Sequence, residues 1–315
     1  MSDEYLWNRS GPADPEVERL ERLLEPLRYR APRTRRAAYA ALAAAAALAL
    51  AAAGLLRFAP AGPTAPAWQV ARVEGAAHLG NRAAAVAMAV RPGELLRTAS
   101  DGQLELSEDD LGRIDLGPDS ELRAGRGGRV ALDRGRLHAF IWAPPRRFVL
   151  DTPSARAVDL GCEYTIEVNP AGDGLLRVSM GWVAFQAEGR ESFIPAGARC
   201  VTHKRGGPGI PYYEDAQPEL IAALGRLEAG DGAAVAQMLA AARPHDGITL
   251  WHLLTRVPPT ERAAVYDRFA ELVVVPPDTR ARVLAGDAAA IDLCWNALGL
   301  ENTDWWRGWE REWKP

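Results

Sequence analysis

The sequence has little of what most enzyme and metal sites require. Its 315 residues include three cysteines and five histidines, and none of these forms a metal-ligand spacing. Three cysteines are too few for a disulfide-dense scaffold or a four-cysteine zinc site. The chain also lacks a Gly-x-Ser-x-Gly motif, a His-Glu-x-x-His motif, a phosphate-binding loop and a dinucleotide fingerprint. These absences predict a protein that is not an enzyme and holds no cofactor or metal.

The chain has no excess of positive charge either. Its formal net charge is -4, and no basic domain stands out along it. Proteins that bind nucleic acid neutralise phosphates with clustered lysine and arginine. The charge therefore argues against a nucleic-acid partner.

What the chain does have is one long uncharged run. Twenty residues between Arg36 and Arg57 carry no charge, and thirteen of them are alanine. Twenty helical residues span roughly 30 Å, the thickness of a hydrocarbon core. We therefore expect a transmembrane helix over residues 37–57, with a buried soluble helix and a cleaved signal peptide as the alternatives.

The flanks of this run predict its orientation. Basic residues are concentrated before it, whereas only Arg57 follows it before Arg72. Positive charge is retained on the cytoplasmic side, so we expect a cytoplasmic N-terminus and an extracytoplasmic bulk, in the inner (cytoplasmic) membrane. The predicted topology determinants are Arg28, Arg30, Arg33, Arg35 and Arg36.

The N-terminal segment predicts a short amphipathic helix. Asp14-Pro15 is a typical helix start, and Pro26 ends the regular helix. Apolar residues recur on one face, at Val17, Leu20, Leu24 and Leu27. A helix this short gains stability by docking. The stripe therefore predicts either a partner-binding site or a helix lying near membrane lipid.

Between residues 68 and 203 the pattern is typical of strands. Polar and apolar residues alternate, as in the run from Tyr164 to Val168, and turn residues recur about every ten positions. This spacing indicates an all-β sandwich or a solenoid-like fold, and it does not separate the two.

Several short elements in this region resemble the FecR domain family. They occur in the family's order, at Trp68–Gly75, Pro92–Thr98, Leu116–Leu122, Leu132–Leu137, Phe148–Pro153, Asp159–Gly161, Val178–Val183 and Ile194–Gly197. The resemblance implies a membrane-anchored extracytoplasmic domain that relays a signal to a cytoplasmic partner, usually a sigma factor of the extracytoplasmic-function group. An extracytoplasmic protein or glycan ligand is expected instead if the chain is an anchored envelope scaffold.

From residue 217 onward the apolar spacing becomes helical, with proline pairs between segments. The fold class predicted for the whole chain is multidomain α+β: an N-terminal transmembrane helix, an all-β FecR-type domain and a C-terminal all-α helical region. The predicted segments are 1–36 (cytoplasmic), 37–57 (transmembrane), 58–67 (linker), 68–203 (β domain), 204–216 (linker) and 217–315 (helical).

Two of the cysteines fall within the predicted β domain. Cys162 and Cys200 would lie where oxidation is permitted, and we expect a disulfide between them, with two buried reduced thiols as the alternative. The sequence as a whole predicts a membrane-anchored regulator with a cytoplasmic partner. The alternative is an anchored envelope scaffold without transcriptional output.

Overall fold

The structure is a computed structural model that describes residues 15–28, 68–187 and 189–300. The chain divides into two units, residues 1–64 and 65–315. Within the first unit, helix α1 (Pro15–Leu24) is followed by a 3-10 turn (Glu25–Leu27). Pro15 has the fixed φ that suits a first helical residue, and Pro26 lacks the N–H that a continuing helix needs. The local sequence therefore accounts for the end of α1 at Leu24.

The transmembrane helix of the predicted fold class is not found, and that part of the fold class is wrong. Among the described residues, no helix is long and apolar enough to cross a membrane. The longest described helix has 14 residues, or about 21 Å, and it carries five charged side chains. The predicted span itself, residues 37–57, lies outside the described residues.

The predicted all-β region is confirmed. The described part of the second unit begins with eighteen strands of one curled sheet. They are β1 (Trp68–Glu74), β2 (Ala77–Leu79), β3 (Arg82–Ala83), β4 (Ala89–Val90), β5 (Leu95–Thr98), β6 (Gln103–Glu108), β7 (Gly112–Leu116), β8 (Glu121–Ala124), β9 (Arg129–Ile141), β10 (Val149–Asp151), β11 (Arg156–Asp159), β12 (Glu163–Val168), β13 (Gly174–Met180), β14 (Trp182–Ala187), β15 (Arg190–Pro195), β16 (Ala198–His203), β17 (Gly207–Pro208) and β18 (Tyr212–Tyr213).

Strand β9 joins two runs of strands. Its first half pairs with β8 and β10, and its second half pairs with β7 and β12. One run is ordered β4-β1-β6-β7-β9-β12-β13-β16, and the other is ordered β3-β2-β5-β8-β9-β10-β11-β14-β15. Strand β9 crosses from one run to the other at Gly135, where φ is +97° and a Cβ atom would collide with Ser120. Glycine is required at this position because other residues rarely adopt that φ.

The two runs share one core. Alternate residues of most strands are buried, as in β12, and Trp68 of β1 meets Phe148, next to β10, with ring centroids 6.0 Å apart. Period-2 burial of this kind leaves the other face of each strand for polar residues. The described pairings are antiparallel except for β9 with β10. The curled two-run sheet therefore agrees with the sandwich alternative rather than with a solenoid.

Helices follow the strands in the same unit. They are α2 (Pro218–Glu228), α3 (Ala234–Ala241), a 3-10 turn (Pro244–Asp246), α4 (Gly247–Arg256), α5 (Pro259–Leu272), α6 (Thr279–Leu284) and α7 (Ala288–Ala297). Trp295 of α7 packs against Trp182 of β14 and Phe193 of β15, with both ring-centroid distances 5.7 Å. The C-terminal helices therefore cover the outer side of this part of the sheet, which explains why β14 and β15 are buried on both faces.

Candidate partner-binding sites

The apolar stripe predicted on the N-terminal helix is exposed. Leu20, Leu24 and Leu27 are 59%, 55% and 78% exposed, and Val17 is half-buried. Leu23, which the sequence analysis did not include, is also exposed. None of the residues of α1 is buried. The helix thus presents a continuous apolar face that burial against a partner would stabilise, at about 1.5–3 kcal/mol per leucine.

On the polar side of α1, Arg22 and Glu18 interact with each other within the helix. Arg22 Nε donates to the Glu18 carbonyl at 3.4 Å, and its Nη2 lies 3.9 Å from the Glu18 carboxylate. Exposed pairs of this kind contribute little to stability. Of the five predicted topology determinants, only Arg28 is among the described residues. Its N–H donates to the Glu25 carbonyl oxygen and closes the 3-10 turn. Arg30, Arg33, Arg35 and Arg36 lie outside the described residues.

A polar row crosses the outer face of the second unit. Residues in direct register on neighbouring strands point to the same face, and here they include ion-pairing partners. The row runs through Arg72, Glu105, Asp115, His138, Thr165, Arg177 and Arg199. Four of the six neighbouring strand pairs in the row, β1–β6, β7–β9, β9–β12 and β13–β16, are not consecutive in sequence, so the folded sheet is needed to bring these side chains together.

His138 lies at the centre of this row, between two carboxylates. Its Nδ1 is 3.4 Å from Asp115 on β7, and its Nε2 is 3.0 Å from Glu163 on β12. The hydrogen bond with Asp115 raises the pKa of His138 most strongly, and Glu163 adds to this, although partial burial acts against it. Protonation of the imidazole therefore creates a cation bound on both sides, which joins three strands through charge-assisted hydrogen bonds.

A second titratable pair is buried where the chain leaves β11. Asp159 is 1% exposed, accepts a hydrogen bond from Gly161 N–H at 2.7 Å and accepts another from the thiol of Cys162. Burial raises the pKa of Asp159 to about 7, although both hydrogen bonds act to lower it. Burial and the neighbouring carboxylate raise the pKa of Cys162 well above its usual value, so this thiol is a poor nucleophile.

The predicted disulfide between Cys162 and Cys200 is wrong for this structure. All three cysteines are free and buried. Cys200 is the register partner of Leu176 on β13, and Leu176 is the register partner of Ile166 on β12. Ile166 comes four residues after Cys162 in the sequence. That offset amounts to about 13 Å along the strands and about 10 Å across them. A disulfide requires Cα atoms within about 7 Å.

The two titratable clusters were not predicted from the sequence. Each strand pattern marks its polar positions correctly, but nothing in it gives the register between β7, β9 and β12. Among the described residues, no group of three or more His, Cys, Asp or Glu side chains is placed to hold a metal ion.

Comparisons with known proteins add only a distant likeness. No family model matches the chain, and no curated protein matches it. Two crystal structures of a candidate anti-sigma factor from Parabacteroides distasonis ATCC 8503, at 1.65 Å and 2.50 Å resolution, are similar to it. Each is 14% identical in sequence, has a TM-score of 0.34 and covers 41% of this chain. The chain spans 63% and 62% of those proteins, less than two thirds of their length.

A TM-score this low does not establish a shared fold, so the FecR resemblance stays a prediction from the sequence.

Proposed function

We propose that the protein is a non-enzymatic regulator that binds a cytoplasmic partner through the apolar face of α1. The observation that carries the proposal is the exposure of three leucines, Leu20 and Leu24 on α1 and Leu27 in the 3-10 turn that follows it. An isolated helix of ten residues is marginal in water, and burial of an apolar face is its main source of stability. A bound partner would supply that burial.

The FecR resemblance suggests the class of partner, a sigma factor of the extracytoplasmic-function group. On this proposal, the second unit (residues 65–315), which we call the β-rich unit, receives a signal, and α1 holds or releases the sigma factor. The alternative, a scaffold without transcriptional output, would not require a sigma factor to bind α1. The predicted location at the cytoplasmic membrane stays a prediction from the sequence.

The test is recovery of a sigma factor with the full chain, purified from its host and analysed by mass spectrometry. Changing Leu20→Ala together with Leu24→Ala keeps good helix formers while removing apolar contact. We expect recovery to fall at least tenfold, because 1.4 kcal/mol corresponds to a factor of ten in affinity.

The matched control changes two positions on the polar face, Glu18→Ala and Glu21→Ala, and should leave recovery unchanged. Absence of any sigma factor in the wild-type sample would favour the scaffold alternative. Equal loss in both double variants would mean that the helix, rather than its apolar face, is what matters.

A further inference from the structure

The outer face of the sheet carries an exposed apolar patch that the proposed function does not use. Its members are Phe140, Trp142 and Met180, and we call them the Trp142 patch. Trp142 is 50% exposed and Met180 is 49% exposed. Phe140 and Met180 are the register partners of Glu163 on its two sides, so these three side chains share one face. Exposed apolar groups gathered in this way are typical of interaction sites.

The indole of Trp142 is held in place. Its Nε1 donates to the carbonyl oxygen of Asp109 at 2.8 Å, and its ring meets that of Phe140 edge-on, with centroids 5.8 Å apart. The main chain is fixed too, since Trp142 N–H donates to the Leu111 carbonyl. A side chain that is already ordered loses little entropy when it binds. Exposed tryptophans with this property are frequent among the residues that dominate interface affinity.

The charge beside the patch is negative. Asp109 and Asp110 are exposed at the β6–β7 turn, and no ion pair within the described residues involves either. The basic side chain opposite Phe140, Arg113, already lies 3.8 Å from Glu105 and 4.0 Å from Asp115. Arg147 lies close enough to interact with the charge of Glu108. Two exposed carboxylates with no ion-pair partner among the described residues therefore remain next to Trp142.

We propose that the Trp142 patch binds a cationic peptide segment of a partner protein. An apolar side chain of the peptide would pack on Trp142 and Met180, and its lysine or arginine side chains would lie beside Asp109 and Asp110. A neutral glycan would stack on the indole and donate hydroxyl hydrogen bonds to the carboxylates, but it would leave their negative charge uncompensated. A second copy of this chain is disfavoured by its own net charge of -4. The proposal is independent of α1 and of the function proposed for it.

The test uses the full chain and a fluorescein-labelled ten-residue peptide of alternating leucine and lysine, followed by fluorescence anisotropy. We expect Trp142→Ala to weaken binding at least tenfold. Asp109→Asn with Asp110→Asn should weaken it severalfold and reduce its dependence on salt, because exposed charges are screened. A peptide of alternating leucine and glutamate should not bind.

The matched control is Asp101→Asn with Asp133→Asn, which removes the same charge from two exposed positions, one in the β5–β6 turn and one on β9. This control should bind the leucine–lysine peptide as the wild type does. The proposal is overturned if the wild type does not bind the peptide, or if both double variants lose the same affinity, which would indicate only general attraction to an acidic protein. Binding of cellopentaose that depends on Trp142, with no peptide binding, would overturn it in favour of a glycan.

Discussion

At Asp159 a single carboxyl group makes the stability of the sheet depend on pH. The group is buried with the Cys162 thiol as a hydrogen-bond donor, and the nearby Tyr164 hydroxyl is buried without a hydrogen-bond partner among the described residues. Its pKa is raised from 3.8 to about 7 in the fold. Between these two values the folded protein retains a proton that the unfolded chain has lost. The free energy of unfolding therefore falls as the pH rises from about 4 to about 7.

Replacing this carboxyl group with an amide removes that dependence. We expect Asp159→Asn to gain stability relative to the wild type as the pH rises from 4 to 8. The upper limit of the gain is about 4 kcal/mol, since each pKa unit corresponds to 1.36 kcal/mol. Urea unfolding at pH 4, 6 and 8 measures it. The exposed control Asp133→Asn should track the wild type, and a constant difference between Asp159→Asn and the wild type would contradict the prediction.

Residues of this kind are the least predictable from the sequence. The alternation around Tyr164 correctly predicts which side chains face the core. It does not show that Asp159, the last residue of β11, points inward, because a buried carboxyl depends on the donors that surround it in the folded chain. The disulfide prediction failed because sequence spacing does not give the offset between Cys162, which precedes β12, and Cys200 on β16, with β13 between these strands.

Elements whose signals are local were easier to predict. Helix α1 begins at Pro15 and gives way to a 3-10 turn at Glu25, as its two prolines require. The β region was confirmed because period-2 alternation and turn residues act within a few positions. The order of strands in the sheet was beyond reach, because β9 pairs with four strands in two runs and a pattern within one strand does not name its neighbours.

Helix α7 allows a test of one such local signal. Asp287 accepts hydrogen bonds from the N–H groups of Ala289 and Ala290, at 2.9 Å and 3.3 Å, and it also forms an ion pair with Arg282 at 2.7 Å. We expect Asp287→Ala to lower the urea midpoint of unfolding, because it removes the helix cap and the ion pair together. Asp287→Asn retains an acceptor for the cap but removes the charge, so it should lower the midpoint less. Equal losses in thermal or urea unfolding would assign the effect to the ion pair instead.

At the scale of the whole β-rich unit, the helices and the sheet depend on a shared aromatic cluster. Trp295 meets Trp182, Phe193 and Trp251, and Trp251 Nε1 donates to the Ile291 carbonyl of α7 at 2.8 Å. His252 of α4 also links the helices to the sheet. Its Nε2 accepts the Phe193 N–H of β15 at 3.0 Å, while its Nδ1 faces the Ile248 carbonyl of α4 at 2.8 Å. This arrangement requires the neutral imidazole with its proton on Nδ1.

A cluster shared in this way predicts that sheet and helices unfold together. Trp295→Ala should lower the free energy of unfolding by about 3–5 kcal/mol, the usual cost of removing a buried aromatic side chain. Far-UV circular dichroism, which follows the helices, and hydrogen exchange of β14 and β15 amides should shift to the same lower urea concentration. Trp142→Ala removes the same side chain from a half-exposed position and should lower the midpoint much less than Trp295→Ala does. If Trp295→Ala unfolded the helices while the amides of β14 and β15 stayed protected, the helices would be a separate folding unit, and the packing of Trp295 on the sheet would contribute little to its stability.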